Sequence, residues 1–203
     1  VGPSPSTWKR TSAPRDILYY GTMSPLTERV RLLMLENRRT HGEYQHTVPS
    51  PTSYPYQWFW DSCFHAIILS HFDMPAAKAE LRSLVSHQYE TGMIAHIRYW
   101  ERGDILAFDW GPERTSSLLQ PPILAQTVWR LFEREGDVDF LHELYPRLVW
   151  YYDFVRESRD LRNIGLVGIV NPDESGEDNS PRFDTALDLP PLHSVAEHSK
   201  KRF

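Results

Sequence analysis

The sequence holds a single cysteine, Cys63, in 203 residues, which excludes an internal disulfide and any zinc site built on several thiolates. It also lacks a long apolar run. The stretch at residues 66–69 is flanked by His65 and His71 and falls far short of the roughly 20 residues that a membrane-spanning helix needs. Neither sign of charge dominates: 22 Lys and Arg stand against 27 Asp and Glu, well mixed along the chain, and a net charge of -5 offers no basic surface to phosphate backbones or anionic lipid. Neither nucleic acid nor membrane is expected as a partner. Residues 1–15 are rich in Pro, Ser and Thr and contain no apolar core of a secretory signal, so the expected address is cytoplasmic. There is no Gly-rich phosphate loop, no serine nucleophile elbow and no His-Glu-x-x-His. His65 with His71, and His87 with His96, lack the spacing of metal ligands on one face, so neither a metal nor another cofactor is expected.

What the chain does have is 7 Trp, 10 Tyr and 16 Pro, with an apolar content of 40% that is sufficient for one sizeable core. Residues 1–23 read as an extended polar lead-in. From Ser24 a helix is expected, capped by that serine, opened by Pro25, carrying Leu26, Val30, Leu33 and Met34 on one face and ending before Gly42. A second, largely buried helix is expected over residues 60–72, with Phe64, Ile67, Ile68 and His71 sharing a face. Asp73 caps a third, through Pro75, Leu81, Leu84 and Val85. Pro121 and Pro122 open a fourth, with Ile123, Leu124, Val128 and Leu131, ended by Gly136. Residues 138–157 give one kinked helix or two, divided at Pro146. With no convincing alternating strands, the pattern predicts an all-α architecture of antiparallel helix pairs, as in an α/α toroid or solenoid.

Three loops carry residues capable of chemistry. In Tyr54-Pro55-Tyr56-Gln57-Trp58-Phe59-Trp60-Asp61-Ser62, five aromatics crowd one carboxylate at the mouth of a helix. Aromatic faces stack on the C–H faces of a sugar while a carboxylate accepts from its hydroxyls. The same residues also fit a packed core with Asp61 as a helix N-cap. In the second loop Gln120 stands just ahead of the Pro121-Pro122 pair, which fixes the backbone and lets the amide be presented at a defined place, or leaves it as a surface residue at a helix start. The third, residues 171–184, holds Asp173, Glu174, Glu177, Asp178 and Asp184 with one cation, Arg182, and a flexible Gly176. Crowded acids in a partly desolvated loop raise one carboxyl pKa, as a general acid requires; a solvated acidic loop is the other reading.

Taken in order, Gln57-Trp58-Phe59-Trp60-Asp61-Ser62, Ala79-Glu80-Leu81-Arg82-Ser83-Leu84, Gly92-Met93-Ile94-Ala95-His96, Gln120-Pro121-Pro122 and Glu174-Ser175-Gly176-Glu177-Asp178 resemble glycoside hydrolase family 63, most closely its mannosylglycerate and glucosylglycerate hydrolases. The resemblance implies an (α/α)6 barrel, a pocket for one terminal sugar, and cleavage of an α-linked glucosyl or mannosyl unit of a small glycoside or oligosaccharide with inversion. It places the general acid on Asp178 and sugar contacts on Asp61, Tyr54, Trp58, Trp60 and Gln120, with Gly176 letting its backbone approach the ligand.

A complete barrel of this type is about twice as long, so residues 24–188 are expected to be its N-terminal half, followed by an irregular tail at 189–203. The general base would lie outside the chain. Alone it is expected to be inactive, and to self-associate through uncovered helix faces. The competing reading is a non-catalytic or vestigial carbohydrate-binding fragment. A terpenoid-cyclase-like pocket would call for Asp-rich motifs on a helix, and these acids lie in a Gly-containing loop.

Overall fold

A computed structural model describes residues 24–100, 114–177 and 180–186. The expected lead-in at 1–23 and tail at 189–203 lie outside the described residues. Five α-helices dominate: α1 Pro25–Glu36, α2 Phe59–Leu69, α3 Met74–Val85, α4 Leu124–Glu135 and α5 Val138–Arg159. Two short antiparallel pairs join them, β1 Arg38–His41 with β2 Tyr44–Thr47, and β3 Gln57–Trp58 with β4 Ile97–Arg98. The fold is thus mostly helical rather than all-α. No helix among the described residues is long and apolar enough to cross a membrane.

Local chemistry accounts for most of the helix ends. The Ser24 hydroxyl accepts the Thr27 N–H at 3.1 Å, and the Asp73 carboxylate accepts the Ala76 N–H at 3.0 Å. Gly136 closes α4 in the left-handed conformation at φ +71°, and Asp137 then caps α5 through the Phe140 N–H at 3.0 Å. Pro146 does not divide α5. It lies on the exposed side, where solvent can take the carbonyl it leaves unbonded, while Phe140, Leu144, Leu148, Tyr151 and Val155 keep one continuous buried stripe.

The hairpin was hidden in the sequence. Its strands, Arg-Arg-Thr-His and Tyr-Gln-His-Thr, show no apolar alternation, and the glycine read as a helix terminator is a turn residue. His41 pairs with Tyr44 around Gly42, whose φ of +59° puts the only positive φ of the two turn residues first, as a type II′ turn requires.

The core runs through α2, which packs against both α3 and α4, while α4 packs in turn on α5. Its buried set is Phe59, Cys63, Ala66 and Leu69 with Leu81, Leu84, Leu124, Val128, Leu131 and Tyr151. Phe64, expected on the inner face of α2, is instead about half exposed. In α1 only Met34 is buried, and Leu26 and Leu33 stay largely in solvent. Lys78 ties α3 to the start of α5 through Asp137 at 2.5 Å and also meets Glu135, and Arg82 grips Glu143 with two bonds at 2.6 and 2.7 Å.

Candidate active site

The aromatic loop runs straight into α2, so the first turn of that helix is the foundation of the site. Trp58 occupies the N-cap position and supplies no side-chain cap. The N–H groups it leaves open are met from elsewhere in the chain: Phe59 N–H donates to the His96 carbonyl at 2.9 Å, and Trp60 N–H to the Gln120 side-chain oxygen at 3.0 Å. Gln120 is buried rather than a surface residue. Asp61 is therefore not the N-cap; it is the third residue inside the helix, half-buried. Burial lifts its carboxyl above the usual range, opposed by its own backbone N–H and by the Trp60 side chain.

Two groups of predicted site residues form around this turn. Tyr54, exposed, meets Trp58 edge to face at 5.9 Å, and Trp58 meets His96 in the same manner at 5.4 Å. On the other side Gly176, at φ +72°, brings the acidic loop down on Trp60. A Cβ placed there would lie 2.4 Å from the Trp60 Cη2 atom. The close approach allowed by this glycine is thus to the Trp60 ring, which also packs on Phe64 at 6.0 Å.

His96, the last residue of the Gly92-Met93-Ile94-Ala95-His96 stretch, is a further residue of this neighbourhood. It is buried and bonds Ser116 through Nδ1, and desolvation pushes its pKa down to about 4, so the ring is neutral near pH 7.

The acidic loop is anchored by a buried ion pair. Burial alone would raise the Glu174 carboxyl, but Arg159 donates to it at 2.7 and 3.2 Å, with the N–H groups of Val170 at 2.9 Å and Leu119 at 3.0 Å, and together they hold it below the usual value. Glu174 is therefore an ionised anchor of the loop. It fixes Leu119, the neighbour of Gln120. Arg182 bonds Glu177 at 2.7 Å, where both side chains are exposed. Asp178, the residue assigned the acid role from sequence, lies outside the described residues. Beside Gln120 and Glu174 a cavity of about 210 Å³ opens, lined also by Tyr151, Pro121 and Ile169. Among the described residues no group of three His, Cys, Asp or Glu could hold a metal ion.

The sequence model of a family described as "Mannosylglycerate hydrolase MGH1-like glycoside hydrolase domain" matches residues 54–201. A mannosylglycerate hydrolase of Thermus thermophilus is 35% identical over 181 residues, covering 81% of this chain and 42% of that protein. Mannosylglycerate hydrolase MGH1 of Selaginella moellendorffii is 32% identical over 185 residues, covering 86% of this chain and 37% of that protein. Among solved structures, a GH63 mannosylglycerate hydrolase of Thermus thermophilus in complex with Tris and D-glycerate superposes with a TM-score of 0.72 at 35% identity, over 83% of this chain and 43% of that one. The chain thus spans about two fifths of the length of the relatives it matches.

Proposed function

We propose, for a chain that belongs to the mannosylglycerate hydrolase MGH1-like glycoside hydrolase family, that it carries the sugar-binding and acid-bearing half of an inverting glycosidase site. The substrate is a small α-linked mannoside or glucoside, with mannosylglycerate the first to test. On this reading the five helices are part of an (α/α)6 barrel, and the carboxylate that activates water comes from helices beyond this chain.

The observation that carries the proposal is the placement of Asp61. A half-buried carboxylate sits in the first turn of α2, directly after Trp60 and three residues after Trp58, on a turn fixed by Gln120 and His96. A terminal sugar laid on the indoles would present hydroxyls to Asp61, and a charged hydrogen bond of that kind contributes about 1.5–3 kcal/mol. Asp178, two residues beyond Gly176, then protonates the glycosidic oxygen. The base stands about 6.5–9.5 Å from it, leaving room for the water that attacks the opposite face.

The test is a proton NMR time course of the complete enzyme with α-mannosylglycerate. The β-anomer of mannose should form first and then mutarotate. Initial α-mannose would replace inversion by retention, and no release from any α-mannoside or α-glucoside would leave carbohydrate binding without catalysis. On this reading the 203-residue chain alone should release no sugar, because the base would come from the remainder of the barrel.

A further inference from the structure

Glu174 and Gly176, two residues apart in the acidic loop, act on the same tryptophan by separate routes. Glu174 accepts the Leu119 N–H at 3.0 Å and the adjoining Gln120 accepts the Trp60 N–H at 3.0 Å, so the main chain of the Trp60 turn is tied to the loop. Gly176 lies on the Trp60 ring, with no room for a Cβ between them. The sugar reading uses the ring and the glycine. It leaves the Glu174 carboxylate and its partner Arg159 without a task.

We propose that Arg159, at the end of α5, is a positioning residue for the candidate site: through Glu174 it holds the loop that leads to Asp178 against the turn that carries Trp60 and Asp61. That Asp178 is the acid rests on the glycosidase reading; the coupling of the two segments does not.

The donors around the buried Glu174 carboxylate come in two pairs. Its Oε1 accepts from Arg159 Nη2 at 2.7 Å and from the Leu119 N–H, and its Oε2 accepts from Arg159 Nε at 3.2 Å and from the Val170 N–H at 2.9 Å. A carboxylate can accept two bonds on each oxygen, whereas an amide in its place would turn an NH2 group toward two donors. A guanidinium meets both oxygens at once with a geometry that an ammonium lacks. Arg159 is fixed in turn by its main chain, whose carbonyl accepts the Gly168 N–H at 2.7 Å. The end of α5, the approach to α4 and the acidic loop thus meet at one ion pair.

From this anchor to Glu177 the loop is knit by its own bonds. The Asn171 carbonyl accepts the Glu174 N–H at 3.0 Å, and the Ser175 hydroxyl donates to the Pro172 carbonyl at 2.5 Å while accepting the Glu177 N–H at 3.0 Å. The Glu177 carbonyl then accepts the Ser180 N–H at 3.1 Å, which joins the residues on either side of positions 178 and 179. The pair of Arg182 with Glu177 is exposed on both sides, where water screens it. The loop is therefore placed from within, by Glu174. Without Arg159 the Glu174 charge would be left in the interior with backbone donors alone, and the loop would shift to hydrate it. Misplacing a reacting group by about 1 Å costs on the order of 10²-fold in rate.

The experiment compares the complete enzyme with R159A, R159K and L144A, the last of which trims a buried core side chain of α5 about four helical turns before Arg159. The first readout is kcat/KM on mannosylglycerate divided by kcat/KM on α-mannosyl fluoride. Both substrates carry the same sugar, so a shift of Trp60 weakens both alike and any loss of folded protein cancels. Displacement of the acid, which the fluoride needs little, changes the ratio. It should fall about 10–100-fold in R159A, and about 3–10-fold in R159K, which keeps the charge and loses the paired geometry. In L144A it should stay at the wild-type value. The second readout is the 19F signal of 5-fluorotryptophan at position 60, assigned through W60F, which should be displaced in both Arg159 variants and not in L144A. A wild-type ratio in R159K or an unmoved signal would overturn the proposal. So would an equal fall of the ratio in L144A, which would make the effect one of stability. Should R159A not fold, R159K carries both readouts. A wild-type enzyme that cleaves neither substrate would remove the glycosidase reading, and the 19F signals would then decide the coupling by themselves.

Discussion

The side-chain oxygen of Gln120 accepts the backbone N–H of Trp60 at 3.0 Å, so an amide 60 residues away supplies the helix cap that Trp58 cannot. Gln120 is itself held in place, because its neighbour Leu119 donates to the buried Glu174 carboxylate and Glu174 is gripped by Arg159. A line of bonds therefore runs from the end of α5, through the loop before α4, to the turn that bears Asp61.

Removing the amide should loosen that turn. Q120A is expected to cost about 1–2 kcal/mol, the worth of a helix cap plus the exposed donor it leaves behind. Urea denaturation measures it. A loss under about 0.3 kcal/mol would mean that water replaces the amide without penalty.

The Arg159–Glu174 pair should matter far more than the surface pair Arg182–Glu177. Leaving a buried charge unpaired costs about 3–5 kcal/mol, whereas an exposed pair is worth about 0–1 kcal/mol. R159A should thus be severely destabilised and R182A nearly neutral. The pH dependence has a definite sign. Glu174 is held below its ordinary value in the fold, so its contribution is present above the unfolded pKa and is lost as pH falls through the folded one. Wild type should lose stability on that acid limb, and E174Q should show a shallower fall.

Much of this scaffold was legible because its signals are local. Ser24, Asp73 and Gly136 act within three residues of themselves, and the structure uses each as a cap or terminator. The hairpin was not legible, since four-residue strands rich in Arg, His and Thr are stabilised by packing on α3 rather than by their own pattern. Pro146 looked like a division because chain order alone does not tell which side of a helix faces water. The aromatic cluster around Asp61 could be picked out from sequence. The work of Gln120, Glu174 and His96 could not, because each depends on a partner far along the chain.

Gly176 and Gly42 form a matched pair of controls. Both have positive φ, +72° and +59°, but a Cβ at Gly176 strikes the Trp60 ring whereas one at Gly42 meets nothing within 4 Å. G42A should cost about 1–2 kcal/mol from backbone conformation alone. G176A should cost that and more, and should also change tryptophan fluorescence. Equal costs with unchanged fluorescence would show that Trp60 does not depend on the glycine.

Exposed apolar residues line the segment after α5, among them Leu161 at 84%, Leu166 at 68% and Val170 at 66%, and α1 adds Leu26 at 71%. Exposed apolar surface promotes association. The isolated chain should therefore sediment as oligomers whose size rises with concentration, and replacing Leu161, Leu166 and Val170 by Lys should shift it toward monomer. A monomer at all concentrations would show that these side chains are tolerated in water.

The account turns on Asp178 as the general acid, and D178N in the complete enzyme tests it most directly with two substrates. On mannosylglycerate, whose leaving group must be protonated, the substitution should lower kcat by about 10²–10⁴-fold and abolish the basic limb of the pH profile. On α-mannosyl fluoride, whose leaving group needs little protonation, the loss should be far smaller. Equal losses on both substrates would contradict the assignment, making Asp178 a residue of binding or folding.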